Sequence, residues 1–319
     1  MLEIRKMKIF VTGGAGFIGS HLIDRLITQE NQVTVYDNLS SGKEEFIGHH
    51  YINPSFRFVK ADLLDLNLLT ESIKGHDIVF HVAANPDARE GNINTRLDLE
   101  ENTIATYNVL ESMRRNGIKK IVFTSSGTVY GETPNTPVVE DYGPLLPISL
   151  YGASKLACEG LISAFCHLFD MQGWIFRLGN IVGPRATHGV IFDLINKLRK
   201  DPTMLEVLGD GDQTKPYVYV DDCIDGMLFG VQSASDKINL FNLAVSSVTS
   251  VKDIVRMILK KTGHKRTVVK YMGGSRGWLG DVPRVQLNVK RLERLEWRAK
   301  YTSNEAVAKT IDSLIEKSF

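Results

Sequence analysis

Cysteine is scarce: Cys158, Cys166 and Cys223 are the only three in a chain of 319 residues. An odd, widely spaced set makes a poor disulfide framework and suits a reducing compartment, so a cytoplasmic location is expected. No pair has the C-x-x-C spacing of a zinc site, and no metal is expected. Net charge is missing too. Lys and Arg number 38 against 37 Asp and Glu, which leaves no long-range field to draw nucleic acid or an anionic membrane. Any anionic ligand must be held by local groups. No apolar run is long enough to span a bilayer, and Ile9–Val11 near the start is too brief for a secretory signal core. Met1–Lys6 reads as a short extension ahead of the first strand. What is present is an ordinary globular composition, 43% hydrophobic and 24% charged, with enough chain for a substantial core.

The first half alternates short apolar runs with longer amphipathic ones. Lys8–Thr12, Gln32–Asp37, Phe56–Lys60, Asp77–Val82, Lys120–Ser125 and Gly173–Arg177 read as buried strands. Phe17–Thr28, Leu64–Ile73, Leu97–Asn116 and Tyr151–Phe169 read as the helices between them. Such alternation predicts a doubly wound parallel α/β sheet covered on both faces. Ligands bind such sheets beyond the carboxyl ends of the strands. After Arg177 the pattern loosens into helices at Val190–Lys200, Val251–Lys261 and Asn304–Lys317, separated by turn-rich stretches. These predict a smaller C-terminal α/β domain, with Ile238–Ala244 returning to the main sheet. The expected division is residues 1–177 plus 220–245 for a cofactor domain, and 178–219 plus 246–319 for a substrate domain.

The strand Lys8–Thr12 runs into Gly13, Gly16 and Gly19 and then into a helix. Glycine permits the tight turn and a close backbone approach to a pyrophosphate, and the helix N-terminus offers free N–H groups. No Gly-Lys-Ser/Thr comes next, which excludes a nucleoside-triphosphate loop. Asp37 ends the second strand, placed to accept hydrogen bonds from both adenosine ribose hydroxyls and to repel a 2′-phosphate. This Rossmann-type arrangement favours NAD over NADP. Asp62 and Leu63 are expected near the adenine, and Ala83 and Ala84 near the nicotinamide half. His81 reads as a packed strand histidine.

Of ten tyrosines, only Tyr151 has a lysine four residues on, Lys155, which on a helix shares its face. The preceding strand ends in Thr124-Ser125-Ser126 at the same sheet edge. A phenol near pKa ~10 is too weak a base at neutral pH. A neighbouring ammonium and a positive nicotinamide ring both favour the phenolate; lowering the pKa by about three units requires roughly 4 kcal/mol. Tyr151 would take a proton from a hydroxyl as hydride leaves, with Ser126 bridging the same oxygen and Lys155 holding the nicotinamide ribose.

Thr12-Gly13-Gly14-Ala15-Gly16-Phe17-Ile18-Gly19, Tyr36-Asp37-Asn38-Leu39, Thr124-Ser125-Ser126-Gly127-Thr128-Val129-Tyr130-Gly131 and Tyr151-Gly152-Ala153-Ser154-Lys155 together resemble the extended short-chain dehydrogenases/reductases. Within them the resemblance is to the UDP-glucose 4-epimerase family. It continues through Arg177-Leu178-Gly179-Asn180, Gly209-Asp210-Gly211 and Tyr217-Val218-Tyr219-Val220-Asp221-Asp222. The resemblance implies Ser126, Tyr151 and Lys155 as the catalytic set. It extends the NAD contacts to Phe17, Ile18, Asn38, Ser40, Ser41, Gly42 and Asn102, the last supporting the active-site network. It implies a UDP-sugar held by Ser126, Asn180, Val190, Lys215, Tyr217, Arg276, Asp281 and Val285. Two departures stand out. Lys215-Pro216 replaces the family's Arg-Asp, and a lysine lacks the bidentate fork for phosphate. Trp278 stands where the Arg-x-Gly-Asp register puts an arginine, so Arg276 is the candidate replacement.

Relatives of this fold diverge after oxidation at C4. Dehydratases carry an acidic pair after the strand-end threonine and decarboxylases a glutamate, whereas this chain has Gly127-Thr128, neither able to act as acid or base near pH 7. C4 epimerisation of a UDP-hexose through a 4-keto sugar needs no further acid and is expected. Val285, at a position just after Gly-Asp-x-Pro that gates the sugar's 2-substituent, implies room for an N-acetyl group. A UDP-glucuronate 4-epimerase, which needs a cation at C6, is the nearest rival. A nucleotide-sugar reductase and a non-catalytic NAD-binding protein are the others. The resemblance also implies a homodimer, paired through Leu97–Asn116 and Tyr151–Phe169.

Overall fold

The computed structural model describes residues 2–134 and 136–316. Met1 and Lys317, which end two of the ranges read from the sequence, lie outside the described residues. Six strands, β1 (Lys8–Thr12), β2 (Gln32–Asp37), β3 (Phe56–Lys60), β4 (Ile78–His81), β5 (Lys120–Ser126) and β6 (Gln172–Leu178), join the strand Ile238–Leu243 in one seven-stranded sheet. Its order is Ile238–Leu243, β6, β5, β4, β1, β2, β3, and each adjacent pair is parallel. The late strand therefore returns to the sheet edge, as its apolar run predicted.

Strand periodicity sorts the core into two layers. Ile9 and Val11 of β1 face one side and Phe10 the other, as Trp174 and Phe176 oppose Ile175 on β6. The first side is covered by α1 (Phe17–Thr28) through Leu22, Ile23 and Leu26, and by residues 220–233, a helix that contributes Val220, Cys223, Ile224 and Met227. On the second lie α2 (Leu66–Ser72), α3 (Ala105–Arg115) and α4 (Leu150–Leu168), with Leu69, Val109, Leu110, Cys158 and Ile162 inward. A third core joins α5 (Val190–Lys200), the helices Val251–Thr262 and Ser303–Glu316, and the short parallel pair Met204–Val207 and Val268–Tyr271.

Local chemistry moves several predicted boundaries. The second helix starts at Leu66 rather than Leu64 because Asp65 caps it, accepting from the Leu68 amide at 3.0 Å. Ser149 caps α4 by accepting from Gly152 N at 3.1 Å, which starts that helix at Leu150. The stretch predicted as one helix over Leu97–Asn116 opens with a π-helical turn, Leu99–Ile104, before α3. Its wider winding carries Asn102 inward, where the side chain is 2% exposed. No helix among the described residues is long and apolar enough to cross a membrane.

Candidate active site

One cavity of about 900 Å³ opens along the carboxyl ends of the strands and continues between the sheet and the third core. Its floor at one end is the turn after β1. Gly13 holds φ +69°, and a Cβ there would sit 2.5 Å from the Ala83 backbone, so the β1 and β4 ends meet only because that side chain is missing. The α1 N-cap, Gly16, has no capping side chain, which leaves the first-turn amides of α1 facing the cavity for an anion.

Asp37 lines this end with both oxygens anchored: Oδ2 accepts from Ala15 N at 2.9 Å and Oδ1 from Leu39 N at 2.8 Å. A carboxylate has about four lone-pair sites, so capacity for two ribose hydroxyls remains. Burial lifts its pKa while those two amides pull it back down. Asn38 Nδ2 donates to Asp62 at 3.0 Å, and Gly13, Gly16, Phe17, Ile18, Gly19, Asn38, Ser40, Ser41, Asp62, Leu63, Ala83 and Ala84 all line the cavity. Gly42 does not. It presses on the glycine turn instead, where a Cβ would come within 3.0 Å of Ala15. His81 is fully buried between the Thr12 and Thr106 hydroxyls at 2.7 and 2.9 Å, and desolvation drops its pKa to about 3, which leaves a neutral packing residue.

Further along, β5 delivers Ser126 and the first two turns of α4 deliver Tyr151 and Lys155, all three facing the cavity. Ser126 Oγ accepts from Thr128 N and Thr128 Oγ1 at 3.2 and 3.0 Å, and the Ser126 hydroxyl lowers the pKa of the neighbouring Tyr151 phenol. Lys155 Nζ lies 5.8 Å from the Tyr151 ring centre and donates to the Thr124 carbonyl at 2.9 Å. Burial pushes the Lys155 ammonium down to about 8, against the opposing pull of Cys158, Asp98 and Glu159. The phenol departs from the sequence expectation. Burial, followed by the Asp98 carboxylate, raises its pKa above the ordinary tyrosine value, and only the Ser126 hydrogen bond lowers it. The groups around Tyr151 thus favour the protonated phenol.

Below this pair α4 is fixed to the sheet. Glu159 accepts from Arg177 Nε and an Arg177 terminal nitrogen at 3.0 and 2.7 Å and from Ser125 Oγ at 2.5 Å. Asn102 is not in the cavity wall but behind it. It donates to Asp98 Oδ1 at 3.1 Å and Ser154 Oγ at 2.8 Å and accepts from Asn85 N at 2.8 Å.

At the far end Asn180, Val190, Lys215, Tyr217, Asp281 and Val285 line the wall. Lys215 Nζ is engaged by Asp281 Oδ1 at 2.7 Å and by the Val282 carbonyl. Arg276 is not brought to the cavity: its guanidinium turns to Glu132 at 2.5 Å and to the Asp281 carbonyl at 2.8 Å. Trp278, in the register of the missing arginine, lines the wall in its place. Sequence reasoning missed the loop after β4. There Arg89 is bidentate to Asp87, at 2.8 and 2.6 Å, and reaches Asp193 of α5 at 3.1 Å across the cavity. The rule that ligands gather beyond strand ends could have found Asn85–Arg89.

Similarity to known proteins bears on what this geometry serves. Residues 9–244 match the NAD dependent epimerase/dehydratase family. The chain belongs to that family. It is 34% identical to a putative UDP-glucose 4-epimerase of Methanocaldococcus jannaschii over 310 residues, covering 95% of this chain and 97% of the relative. A crystal structure of a UDP-galactose 4-epimerase superposes with a TM-score of 0.88 at 39% identity, covering 98% of this chain and all of that one. A UDP-glucuronic acid 4-epimerase from Bacillus cereus, in complex with UDP-glucuronic acid and NAD, gives 0.88 at 27% identity, again with 98% of this chain and 100% of that chain covered. The protein is an NAD-dependent member of the extended short-chain dehydrogenases/reductases. Its own residues fit that cofactor: a glycine turn that a Cβ would fill, uncapped first-turn amides and an anchored Asp37 carboxylate.

Proposed function

We propose that this enzyme interconverts the C4 epimers of a UDP-linked hexose with an uncharged C6, and that it accepts UDP-N-acetylglucosamine as well as UDP-glucose. The observation that carries the reading is the Ser126–Tyr151–Lys155 cluster in the cavity wall, with Gly127 and Thr128 beside it where dehydratases and decarboxylases carry acidic residues. NAD, held by the glycine turn and Asp37, would supply a reversible hydride acceptor for C4. The Tyr151 phenolate takes the proton of the C4 hydroxyl, and Ser126 holds the same oxygen. Lys155 would secure the nicotinamide ribose, with its ammonium 5.8 Å from the Tyr151 ring centre. Thr128 cannot protonate a leaving hydroxyl, because its own hydroxyl is spent on Ser126. The keto sugar then turns about its diphosphate linkage and presents its other face to the same pair, and Tyr151 gives the proton back.

Charge at the sugar end supports a neutral hexose over a uronate. Arg89, the cation carried by the loop after β4, is saturated by Asp87 and Asp193, and Lys215 by Asp281. A uronate carboxylate beside Arg89 or Lys215 would compete with the carboxylates already there. Val285 is smaller than tyrosine and lines the wall, which favours acceptance of a 2-acetamido group. Incubation with a panel of UDP-sugars without reductant, read by NMR, tests the proposal. Formation of the C4 epimers of UDP-glucose and UDP-N-acetylglucosamine is expected. Conversion of UDP-glucuronate alone, or a demand for stoichiometric NADH, would refute it. Tyr151→Phe should abolish turnover while leaving NAD binding intact by calorimetry.

A further inference from the structure

Outside the cavity, three side chains bring metal-ligating atoms to one spot. Asp24 stands midway along α1, and His49 and His50 end the 3₁₀ turn Gly48–His50 between β2 and β3. The Nε2 atoms of both imidazoles meet the same carboxylate oxygen, Asp24 Oδ1, at 2.9 Å from His49 and 2.7 Å from His50. All three ligand atoms lie within 4.8 Å of one another. The two rings are 4.0 Å apart between centroids. Arg185 takes the other oxygen, with a terminal nitrogen 2.8 Å from Oδ2. None of Asp24, His49 and His50 lines the cavity.

The direction in which a protonated Nε2 donates is the one in which the same atom, deprotonated, offers its lone pair. Two imidazoles aimed at one carboxylate oxygen are therefore also aimed at a cation placed between the three. A tetrahedral ion with bonds of about 2.1 Å spaces its ligands about 3.4 Å apart, so side-chain shifts of about 1 Å or less would admit one. Burial holds half of the site in place: His50 is 9% exposed, with its ring 5.4 Å from that of Phe56. The other half is open to water, since the side chains of His49 and Asp24 are 49% and 33% exposed. Arg185 fixes the orientation of the carboxylate from behind, as partners of metal ligands do. It also brings positive charge close to the ion, which keeps the affinity below that of closed four-ligand sites.

We propose that Asp24, His49 and His50 form a binding site for one late first-row divalent cation, of which Zn²⁺ is the type, with water completing its coordination. Two imidazoles and one carboxylate suit such an ion, whereas Mg²⁺ and Ca²⁺ prefer oxygen alone. The ion would tie the segment between β2 and β3 to α1. That segment opens with Ser40 and Ser41 in the cavity wall, and α1 begins at the glycine turn. The site thus braces the two elements that flank the cofactor end and takes no part in the chemistry at Tyr151. It stands whether or not the enzyme is an epimerase.

The test takes the NAD-loaded enzyme, treated with EDTA and then freed of chelator, and titrates it with Zn²⁺ by calorimetry. One equivalent should bind. His49→Gln, His50→Gln and Asp24→Asn should each weaken that binding about tenfold or more. His49 is the most exposed of the three, so His49→Gln is the variant least able to disturb the fold, and its melting in EDTA checks this. Zn²⁺ at about a hundredfold excess over its Kd should raise the wild-type Tm by about 2 °C or more, and Mg²⁺ at the same concentration should not. Absence of saturable uptake up to about 1 mM Zn²⁺ overturns the proposal. So does equal uptake by wild type and folded His49→Gln, which would place the ion elsewhere, and so does equal stabilisation by Mg²⁺.

Discussion

Replacing Lys155 by methionine should make the protein more stable at pH 7 while destroying its activity. The ammonium is 2% exposed, and burial lowers its pKa from 10.5 to about 8. One pKa unit corresponds to about 1.4 kcal/mol, so holding the charged form inside costs the folded state about 3 kcal/mol. Methionine fills a similar volume without charge but forfeits the bond from Nζ to the Thr124 carbonyl, worth about 1 kcal/mol. The net gain at pH 7 is about 2 kcal/mol. Its pH dependence comes from proton counting. Below pH 8 both folded and unfolded wild type carry the proton, and the cost is constant. Between about 8 and 10.5 the unfolded chain binds more protons than the folded one, so wild-type stability climbs and the variant's advantage shrinks. Above 10.5 the advantage disappears and methionine is left short by the lost hydrogen bond. Urea denaturation of both proteins, stripped of NAD, at pH 7 and pH 10 measures the gap. A gap equal at the two pH values, or a variant less stable at pH 7, would refute the reasoning.

Glu159→Ala leaves Arg177, with a 4% exposed side chain, as an uncompensated buried cation. It should lose about 3–5 kcal/mol in the same assay. Gly13→Ala meets both a left-handed φ and the Ala83 backbone. It should destabilise the fold by about 1–3 kcal/mol and weaken NAD binding by titration calorimetry, whereas unchanged affinity would show that the turn does not hold the pyrophosphate. The double change Asp87→Asn with Asp193→Asn frees Arg89 and should improve binding of UDP-glucuronate relative to UDP-glucose; no change in that ratio would remove the charge argument against uronates.

Much of the fold could be read in advance because it rests on short-range chemistry. The strands β1, β2 and β3 start and stop where the short runs read from the sequence do, and the turn after β1 could hardly be anything else once Gly13, Gly16 and Gly19 were seen with a strand before and a helix after. Tyr151 and Lys155 were equally legible, since one helical turn fixes their relation. What escaped depends on contacts between distant residues. The π turn at Leu99–Ile104 is set by Asn102 reaching Asn85 and Ser154, partners 17 and 52 positions away. Arg276 was the candidate for phosphate because Trp278 holds the register position of the family's arginine, but Glu132, 144 residues earlier, holds it elsewhere. The phenol's raised pKa is likewise a sum over burial and a carboxylate that spacing cannot supply.

The strand Ile238–Leu243 seals the sheet beside β6 only after the chain has built α5 and the short strands beyond it, and the helix over residues 220–233 lies against α1 from that same late stretch. Half of the layer over the cofactor side is thus encoded downstream of residues that shape the sugar's end of the cavity. No single cut yields an autonomous nucleotide-binding fragment: ending the gene after β6 would bare a hydrophobic sheet edge and strip α1 of its neighbour. New sugar preferences in this scaffold must therefore arise by substitution along the wall, not by exchange of a terminal cassette through one crossover.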